Sequence, residues 1–284
     1  MGAATDADVW TEVAPMTRQA LRVALDQGTG PSGDTGAALE RLADRAHAAA
    51  AAGAQLLITP EMSMTGYALG PDEIARRAEP ADGPLSRAVA DVAARAGLAI
   101  VHGFPERDGE RVYNSAQLTD AHGAVLATYR KTHLFGDLDR GAFAPGADLL
   151  VQADLHGHRI GLLICYDVEF PETVRAHALA GADLVVVPTA LMAPATAVAT
   201  LLVPARALEN QLHLAYVNRC DGEAGLDYVG LSTFVAPDGA ELLRAGSQEV
   251  LLVADLDTEA ARASSAEPSY LEDRRPNLYR PLTR

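Results

Sequence analysis

Short apolar runs alternate with helical stretches along the first half of this chain. The runs ALRVAL, QLLIT, LAIVHGF, YNSAQLT and AVLATYR have the length and composition of strands. The segments Thr35 to Ala52 and Pro84 to Ala96 are predicted helices, and Asp120 to Gly123 supplies the turn between the last two strands. Alternating strands and helices favour a layered α/β domain with buried sheets.

The second half of the chain continues the same alternation. RIGLLIC, DLVVVP, LHLAYVN, VGLSTFV and VLLVADL are predicted strands. One helix is predicted from Pro171 to Leu179, and another ends near Asn210. The sequence contains no repeat of solenoid period and no low-complexity linker, so a single domain is expected.

The two ends of the chain differ from the rest in composition. Residues 1–17 are rich in Ala, Asp and Thr without apolar periodicity, which predicts a poorly ordered extension before a domain over residues 18–284 that starts near Gln19. The tail from Ser264 to Arg284 is too polar to be core. Its segment YLEDRRPNLYRP has the Tyr, Leu and Arg content of an interface.

Charge and cysteine content limit the class of protein. A formal charge of −15 and a pI near 4.9 oppose binding to nucleic acid or to anionic membranes, because both require clustered cations. The two cysteines cannot form a disulfide framework in 284 residues, and no leader segment is evident, so a cytoplasmic protein is predicted. The uncharged run from Leu184 to Ala205 contains three prolines, which favours strand, loop and helix over a membrane span.

Lys131 is the single lysine of the sequence, and the other 22 cationic residues are arginines. Arginine is a planar fork that does not lose its proton, whereas lysine is a compact ammonium. A lysine retained at one position therefore invites a chemical explanation.

Three reactive side chains follow apolar strands: Glu61 after QLLITP, Lys131 after AVLATYR, and Cys165 at the end of RIGLLIC. Ligands of layered α/β proteins bind outside the carboxyl ends of strands, so the three can meet in one pocket. There the glutamate can act as a general base, the lysine can stabilise an oxyanion, and the cysteine can act as a nucleophile. Taken singly, each also fits an ordinary role, as a loop carboxylate, a surface ammonium or a small buried side chain.

The residues after Cys165 indicate the start of a helix, since Phe170 is followed by Pro171 and Glu172. A thiol near a helix N-terminus is expected to favour its thiolate form. The backbone N–H groups at such a position can bind an oxyanion.

Three motifs in order resemble those of the nitrilase superfamily. GAQLLITPEMSMTGY is similar to its glutamate motif, YRKTHLFG to its lysine motif and GLLICYDVEFPETVR to its cysteine motif, and the resemblance extends from about Gln19 to Asp255. The sequence CYD followed by FPE resembles the amidase-like branches. The resemblance implies a four-layer αββα sandwich that pairs into a homodimer or a higher homo-oligomer.

The resemblance also implies roles for individual residues. Glu61, Lys131 and Cys165 would form the catalytic triad, with the backbone N–H of Tyr166 as an oxyanion donor. The implied substrate is a small aliphatic amide, hydrolysed without a metal or organic cofactor. The side chains expected to line the pocket are Tyr67, Phe135, Thr189 and Met192.

Further acidic positions follow from the same resemblance. Many members have a second glutamate shortly before a Pro-Gly pair, and counting back from Pro145 gives Asp139, which is one methylene shorter, with Asp137 as the alternative. Asp167 and Arg175 resemble the structural charge pair behind the nucleophile.

Several other functions compete with this interpretation. A papain-like arrangement would use one of the eight histidines as the base for Cys165. A Cys/His metal site is weaker, because neither CxxC nor HExxH occurs. N-carbamoyl amines and nitriles are alternative substrates for the same triad, and a non-catalytic binding module is the alternative from another class.

Overall fold

The structure of the chain is a computed structural model that describes residues 20–30, 33–257 and 269–283. The predicted N-terminal extension and Gln19 lie outside these residues, as does Ser264. The helices are α1 (Thr35–Ala51), α2 (Pro71–Arg77), α3 (Pro84–Ala96), α4 (Gly136–Arg140), α5 (Pro171–Leu179) and α6 (Val203–Asn210).

Fourteen strands form two six-stranded sheets and one short hairpin in the described residues. The strands are β1 (Leu21–Gln27), β2 (Leu56–Ile58), β3 (Ala99–Asp108), β4 (Arg111–Thr119), β5 (Val125–Arg130), β6 (Gln152–Leu155), β7 (His158–Leu162), β8 (Leu184–Pro188), β9 (His213–Val217), β10 (Gly222–Glu223), β11 (Leu226–Asp227), β12 (Thr233–Val235), β13 (Glu241–Arg244) and β14 (Val250–Leu256). The first sheet has the order β14-β1-β2-β3-β4-β5, and the second has the order β13-β12-β9-β8-β7-β6. Each has three parallel central strands, β1-β2-β3 and β7-β8-β9, flanked by antiparallel ones.

The two sheets pack face to face between two layers of helices. Along β1, Val23 and Leu25 belong to the core between the sheets, whereas Ala24 packs with the apolar sides of α1 and α3. Val174 of α5 and Val203 of α6 pack on the far side of the second sheet. Because successive strand residues point to opposite faces, strands buried on both sides read as continuous apolar runs. The predicted four-layer αββα sandwich is confirmed.

Helix boundaries follow from local sequence signals. Pro84 and Pro171 occupy the first turns of α3 and α5, and both helices end where predicted. At the start of α1, the Asp34 side chain accepts a hydrogen bond of 3.0 Å from the backbone N–H of Ala37. That helix ends at Ala51, one residue before the predicted end.

Several short elements differ from the prediction. The expected strand VGLSTFV is reduced to Thr233–Val235, because Gly230 and Leu231 adopt positive φ values of 67° and 58°. The run RIGLLIC ends as a strand at Leu162, so Cys165 begins the turn after the strand rather than closing it. Elements of four to seven residues, namely α2, α4, β6 and β13, were not predicted.

The uncharged run from Leu184 to Ala205 folds as expected into strand, loop and helix: β8, a π-helical turn at Val198–Leu202 and the start of α6. Within residues 20–30, 33–257 and 269–283, no helix has the length and apolar character to span a membrane. Residues 269–282 of the tail contribute no buried side chain, with Leu278 and Leu282 exposed.

Candidate active site

The carboxyl ends of β2, β5, β7 and β8 converge at one edge of the sandwich. Because β5 reaches β3 through two antiparallel steps, it runs in the same direction as β2, so Lys131 and Glu61 follow their strands at the same edge. The second sheet meets the first there, since the Glu61 backbone N–H donates to the Thr189 carbonyl at 3.3 Å. The topology therefore brings together the ends of strands that carry Glu61, Lys131 and Cys165.

The backbone that carries Glu61 lies directly against β3. A Cβ at Gly103 would overlap the Met62 amide nitrogen and would lie 3.1 Å from the Glu61 carbonyl carbon. Met62 itself has a positive φ of 52°. Glycine at position 103 thus permits the close approach that fixes the glutamate loop.

Lys131 lies fully buried between two carboxylates. Its Nζ is 2.8 Å from Glu61 Oε1 and 2.6 Å from Asp139 Oδ2. Burial opposes the charged ammonium, but the surrounding negative charges, of which that of Glu61 has the largest effect, together outweigh burial and raise the pKa of Lys131 well above its usual value. The lysine is therefore a permanent cation at this position.

Glu61 uses one carboxylate oxygen for anchoring and leaves the other without a partner. Its Oε1 accepts from Lys131 Nζ and, at 2.7 Å, from Asn114 Nδ2, whereas the buried Oε2 has no hydrogen-bond partner. Burial raises the pKa of this carboxyl group above its ordinary value. A buried carboxylate with one unengaged oxygen and a raised pKa is suited to accept a proton.

Asp139 binds Lys131, and Asp137 does not. The buried Asp139 carboxylate accepts hydrogen bonds from Lys131 Nζ, from the Tyr67 hydroxyl at 2.7 Å and from the Phe135 backbone N–H at 2.8 Å. Asp137 is exposed to solvent. Of the two alternatives for the second acid, the geometry favours Asp139.

Cys165 is the first residue of a 3-10 turn, Cys165–Glu169, and has a positive φ of 46°. The first amides of such a turn, Tyr166 among them, have no acceptor within the turn. Burial, reinforced by the negative charge of Glu61, raises the pKa of the Cys165 thiol. The expectation of a favoured thiolate is therefore wrong, because burial outweighs both the Lys131 charge and the turn.

Asp167 stabilises the segments that flank the lysine and the cysteine. Its buried carboxylate accepts from the Tyr129 hydroxyl at 2.9 Å, the His133 backbone N–H at 2.9 Å and the Ile164 backbone N–H at 3.1 Å. The expected charge pair with Arg175 is wrong, since the carboxylate is occupied by these donors and Arg175 Nη1 has no hydrogen-bond partner.

The remaining residues predicted to line the pocket lie at three places around these groups. Tyr67 and Met192 pack in one apolar cluster, and the buried Thr189 hydroxyl donates to the Tyr216 hydroxyl at 3.0 Å. The half-exposed Phe135 ring meets the Tyr166 ring edge-on, with 5.4 Å between ring centroids. An adjoining open groove of about 510 Å³ has the rings of Tyr166 and Phe170 among its walls.

Sequence reasoning missed Asn114, which holds Glu61. It lies on β4, with its carbonyl accepting from the Lys131 backbone N–H at 2.8 Å and its amide donating to Glu61. A polar residue within the strand run YNSAQLT was the only available signal. Among residues 20–30, 33–257 and 269–283, no group of three His, Cys, Asp or Glu side chains is arranged to hold a metal ion.

Comparison with known proteins identifies the family. Residues 22–265 match the carbon-nitrogen hydrolase family. The chain belongs to this family, within the amidase-like branch of the nitrilase superfamily. It is a hydrolase that acts on carbon–nitrogen bonds other than peptide bonds.

Individual relatives match over nearly the whole chain. A hydrolase of Pseudomonas protegens is 46% identical over 93% of this chain and 92% of its own length, and an (R)-stereoselective amidase of a Pseudomonas species is 39% identical over 90% and 92%. A crystal structure of an amidase from Nesterenkonia sp. is similar with a TM-score of 0.81 and 38% identity, covering 92% of this chain and 96% of the other. A glutamate-to-glutamine variant of that amidase carries the acetamide moiety of fluoroacetamide on its active-site cysteine.

Proposed function

We propose that the protein hydrolyses a small aliphatic amide to a carboxylic acid and ammonia through a thioester on Cys165. The observation that carries this proposal is the free, buried Oε2 of Glu61, whose other oxygen is held by Lys131 and Asn114. A base positioned by a permanent cation, beside a neutral thiol, is the arrangement that nucleophilic acyl transfer requires.

In the first step, Glu61 Oε2 accepts the Cys165 thiol proton as the sulfur attacks the amide carbon. Because the pKa of the thiol is raised, we expect proton removal and attack to occur together rather than from a preformed thiolate. The carbonyl oxygen becomes an oxyanion, stabilised by the Lys131 ammonium and the Tyr166 backbone N–H.

Collapse of the tetrahedral intermediate breaks the carbon–nitrogen bond. The protonated Glu61 gives its proton to the leaving nitrogen, and ammonia departs. In the second step, Glu61 removes a proton from a water molecule as the water oxygen attacks the thioester carbon. The Cys165 thiolate then leaves and takes that proton from Glu61. The carboxylic acid is released, and Glu61 and Cys165 return to their starting protonation states. These proposed steps use no cofactor.

Relatives support a small amide as the substrate. Structures of variants of the Nesterenkonia amidase contain butyramide or acrylamide. The closed environment of Glu61, Lys131, Asp139 and Thr189, each 0% exposed, favours a compact acyl group at the reacting carbon. The Pseudomonas amidase extends the class to a chiral amide, in line with the open groove beside Tyr166.

The test is an ammonia-release screen over acetamide, propionamide, butyramide, dicarboxylic monoamides, N-carbamoyl amines and nitriles. We expect the aliphatic amides to have the highest kcat/KM. A preference for N-carbamoyl compounds or nitriles would show that the proposed substrate class is wrong, but it would be compatible with the proposed triad. No turnover of any compound would favour a binding module.

Intact mass measurement tests the intermediate directly. With a Glu61→Gln variant and a slow amide, we expect an acyl adduct on Cys165 that is absent from Cys165→Ala. Full activity of Cys165→Ala, or of Glu61→Gln, would refute the mechanism, the latter in favour of a histidine base.

We further propose a cytoplasmic homodimer that uses the outer face of α5 and α6 and the C-terminal tail. Leu179, Leu201 and Leu208 are exposed on or beside these helices, and Leu278 and Leu282 are exposed in the tail. Both cysteines are free thiols, as a reducing compartment requires. Sedimentation that detects only monomer at micromolar concentration would refute the dimer.

A further inference from the structure

One buried carboxylate oxygen outside the proposed triad organises the loop that carries Tyr67. Glu223 Oε2 accepts from the backbone N–H groups of Tyr67 at 3.0 Å and Ala68 at 2.7 Å. It also accepts from the Tyr228 hydroxyl at 2.9 Å and from Arg219 Nη1 at 3.0 Å. Four donors on one oxygen are consistent with an ionised carboxylate in this buried position.

The charge of Glu223 is balanced within the protein. Arg219 is almost fully buried, with its guanidinium 4.5 Å from the centre of the Tyr228 ring and its Nε and Nη2 bound to Asp221 at 2.9 and 2.6 Å. Asp221 in turn accepts from the Gly30 backbone N–H at 2.9 Å. The cluster thereby ties the start of the β10–β11 hairpin to two loops of the first sheet.

A continuous chain of hydrogen bonds leads from this cluster to Lys131. Glu223 holds the backbone of Tyr67, the Tyr67 hydroxyl donates to Asp139 Oδ1 at 2.7 Å, and Asp139 Oδ2 accepts from Lys131 Nζ at 2.6 Å. A tyrosine hydroxyl lies far from its own backbone, so a small backbone rotation displaces it appreciably. Misplacement by 1 Å at an active site can cost about a hundredfold in rate.

We propose that Glu223 is a positioning residue for the hydrolytic reaction: by fixing the Tyr67–Ala68 backbone, it sets the Tyr67 hydroxyl on Asp139 and so fixes Lys131 beside Glu61. This inference rests on the proposed function, because it assigns the lysine an active role. Glu223 itself touches neither the nucleophile nor the base in the described contacts. Its effect is transmitted through Tyr67.

The test is a double-mutant cycle with Glu223→Gln and Tyr67→Phe in a Cys220→Ser background, which leaves Cys165 as the single thiol. Each variant is measured for kcat/KM on the best amide and for the pH dependence of Cys165 alkylation by iodoacetamide. The alkylated fraction also counts the folded sites. Tyr228→Phe is the matched control, since it removes one donor to Glu223 without touching the Tyr67 backbone.

We expect each of the two variants to lower kcat/KM by about ten- to a hundredfold per folded site and to shift the alkylation profile in the same direction. The kcat/KM of the double variant should be no lower than that of the poorer single variant. The kcat/KM of Tyr228→Phe should remain within about threefold of the Cys220→Ser parent. Multiplicative losses, or Glu223→Gln matching its parent in both measurements, would overturn the proposal.

The alkylation measurement separates this proposal from the assignment of function. If the parent protein hydrolyses no amide but both variants shift the alkylation profile alike, the positioning role stands and the amidase proposal fails. If the parent hydrolyses amides and Glu223→Gln matches it in both kcat/KM and the alkylation profile, the amidase proposal stands and the positioning role fails. A loss of thermal stability in Glu223→Gln with normal kcat/KM would identify a purely structural residue.

Discussion

Lys131 occupies a space in which only a compact cation satisfies both neighbours. Its Nζ reaches Glu61 Oε1 and Asp139 Oδ2 at 2.8 and 2.6 Å with no exposed surface. A guanidinium has the same charge but is broader and distributes its donors over a plane. A positive charge alone is therefore not sufficient at position 131.

We predict that Lys131→Arg lowers kcat by about a hundred- to a thousandfold, the typical cost of losing one preorganised oxyanion donor. Overpacking of a fully buried position adds a stability cost of about 1–3 kcal/mol, so the thermal midpoint should fall as well. Steady-state kinetics and calorimetry measure both effects. The control for exchanging arginine and lysine is Arg76→Lys at an exposed position. If Lys131→Arg retains activity within a few-fold of wild type, the assignment of Lys131 to the triad is wrong.

Two aspartates in one short helix offer a matched comparison of the second acid. Asp139 is buried with three donors, and Asp137 is exposed. We predict that Asp139→Asn lowers kcat/KM by about a hundredfold or more, because one charge partner of Lys131 is lost, whereas Asp137→Asn stays within about twofold of wild type. Steady-state kinetics of both variants on the same amide measure this difference. Equal losses of kcat/KM in the two variants would contradict the assignment of Asp139 as the second acid.

Asn114 affects the protonation of the proposed base. Burial raises the pKa of Glu61, whereas the hydrogen bond from Asn114 lowers it, so removing the amide raises it further. The proposed mechanism needs Glu61 ionised, so activity should fall as pH drops through this pKa. We predict that Asn114→Leu moves the acid limb of the kcat/KM profile to higher pH. Ser115→Ala, which removes a bond to Glu106 instead, should leave the limb in place.

The proposed triad could be named from the sequence because its motifs are local, and the structure places Lys131 against Glu61. Counting back from Pro145 identified Asp139 as a candidate, but only the structure distinguished it from Asp137, because Asp139 is the one that binds Lys131. Asn114 on β4 and Glu223 on the two-residue strand β10 were not identified, since a single polar side chain on a strand does not by itself indicate what it binds. Arg175 was misassigned because the donors that occupy Asp167 come from β5 and its following loop.

At the scale of elements, the spacing between β3 and the Glu61 loop depends on one glycine. The three atoms nearest to a Cβ added at Gly103 are backbone atoms of residues 60–62, which cannot rotate away as a side chain can. We predict that Gly103→Ala lowers both the thermal midpoint and kcat/KM, because β3 and the Glu61 loop must separate. At Gly246 nothing lies within 4 Å of the added atom, so Gly246→Ala is the matched control and should change neither.

Long apolar runs predicted the central strands, whereas short elements escaped prediction. The parallel strands β2, β8 and β9 are buried at every position, and β1 and β7 are buried at all but one residue each, so their sequences are nearly continuous apolar runs. The helix α4 has only five residues and β6 only four, too few for a periodic signal. The positive φ of Cys165 is unusual for a residue other than glycine, and no sequence rule predicts it.

At the scale of the whole molecule, acidic charge opposes compactness. The formal charge is −15 at pH 7, and the pI is near 4.9. Like charges distributed over one surface repel, and this repulsion destabilises the folded state relative to an expanded chain. The buried group of Glu61, Lys131 and Asp139 balances part of its own charge and is shielded from salt, so the effect arises from the surface.

We predict that NaCl raises the thermal midpoint at pH 7, since the screening length falls from about 10 Å at 0.1 M to about 3 Å at 1 M. For a domain of this size, each 1 kcal/mol of relieved repulsion corresponds to about 2 °C. At pH 5 the net charge is close to zero, so the same salt series should change the midpoint little. Scanning calorimetry at both pH values makes the comparison. An equal rise at pH 5 would assign the effect to general salt exclusion, and no rise at pH 7 would show that the acidic surface does not limit stability.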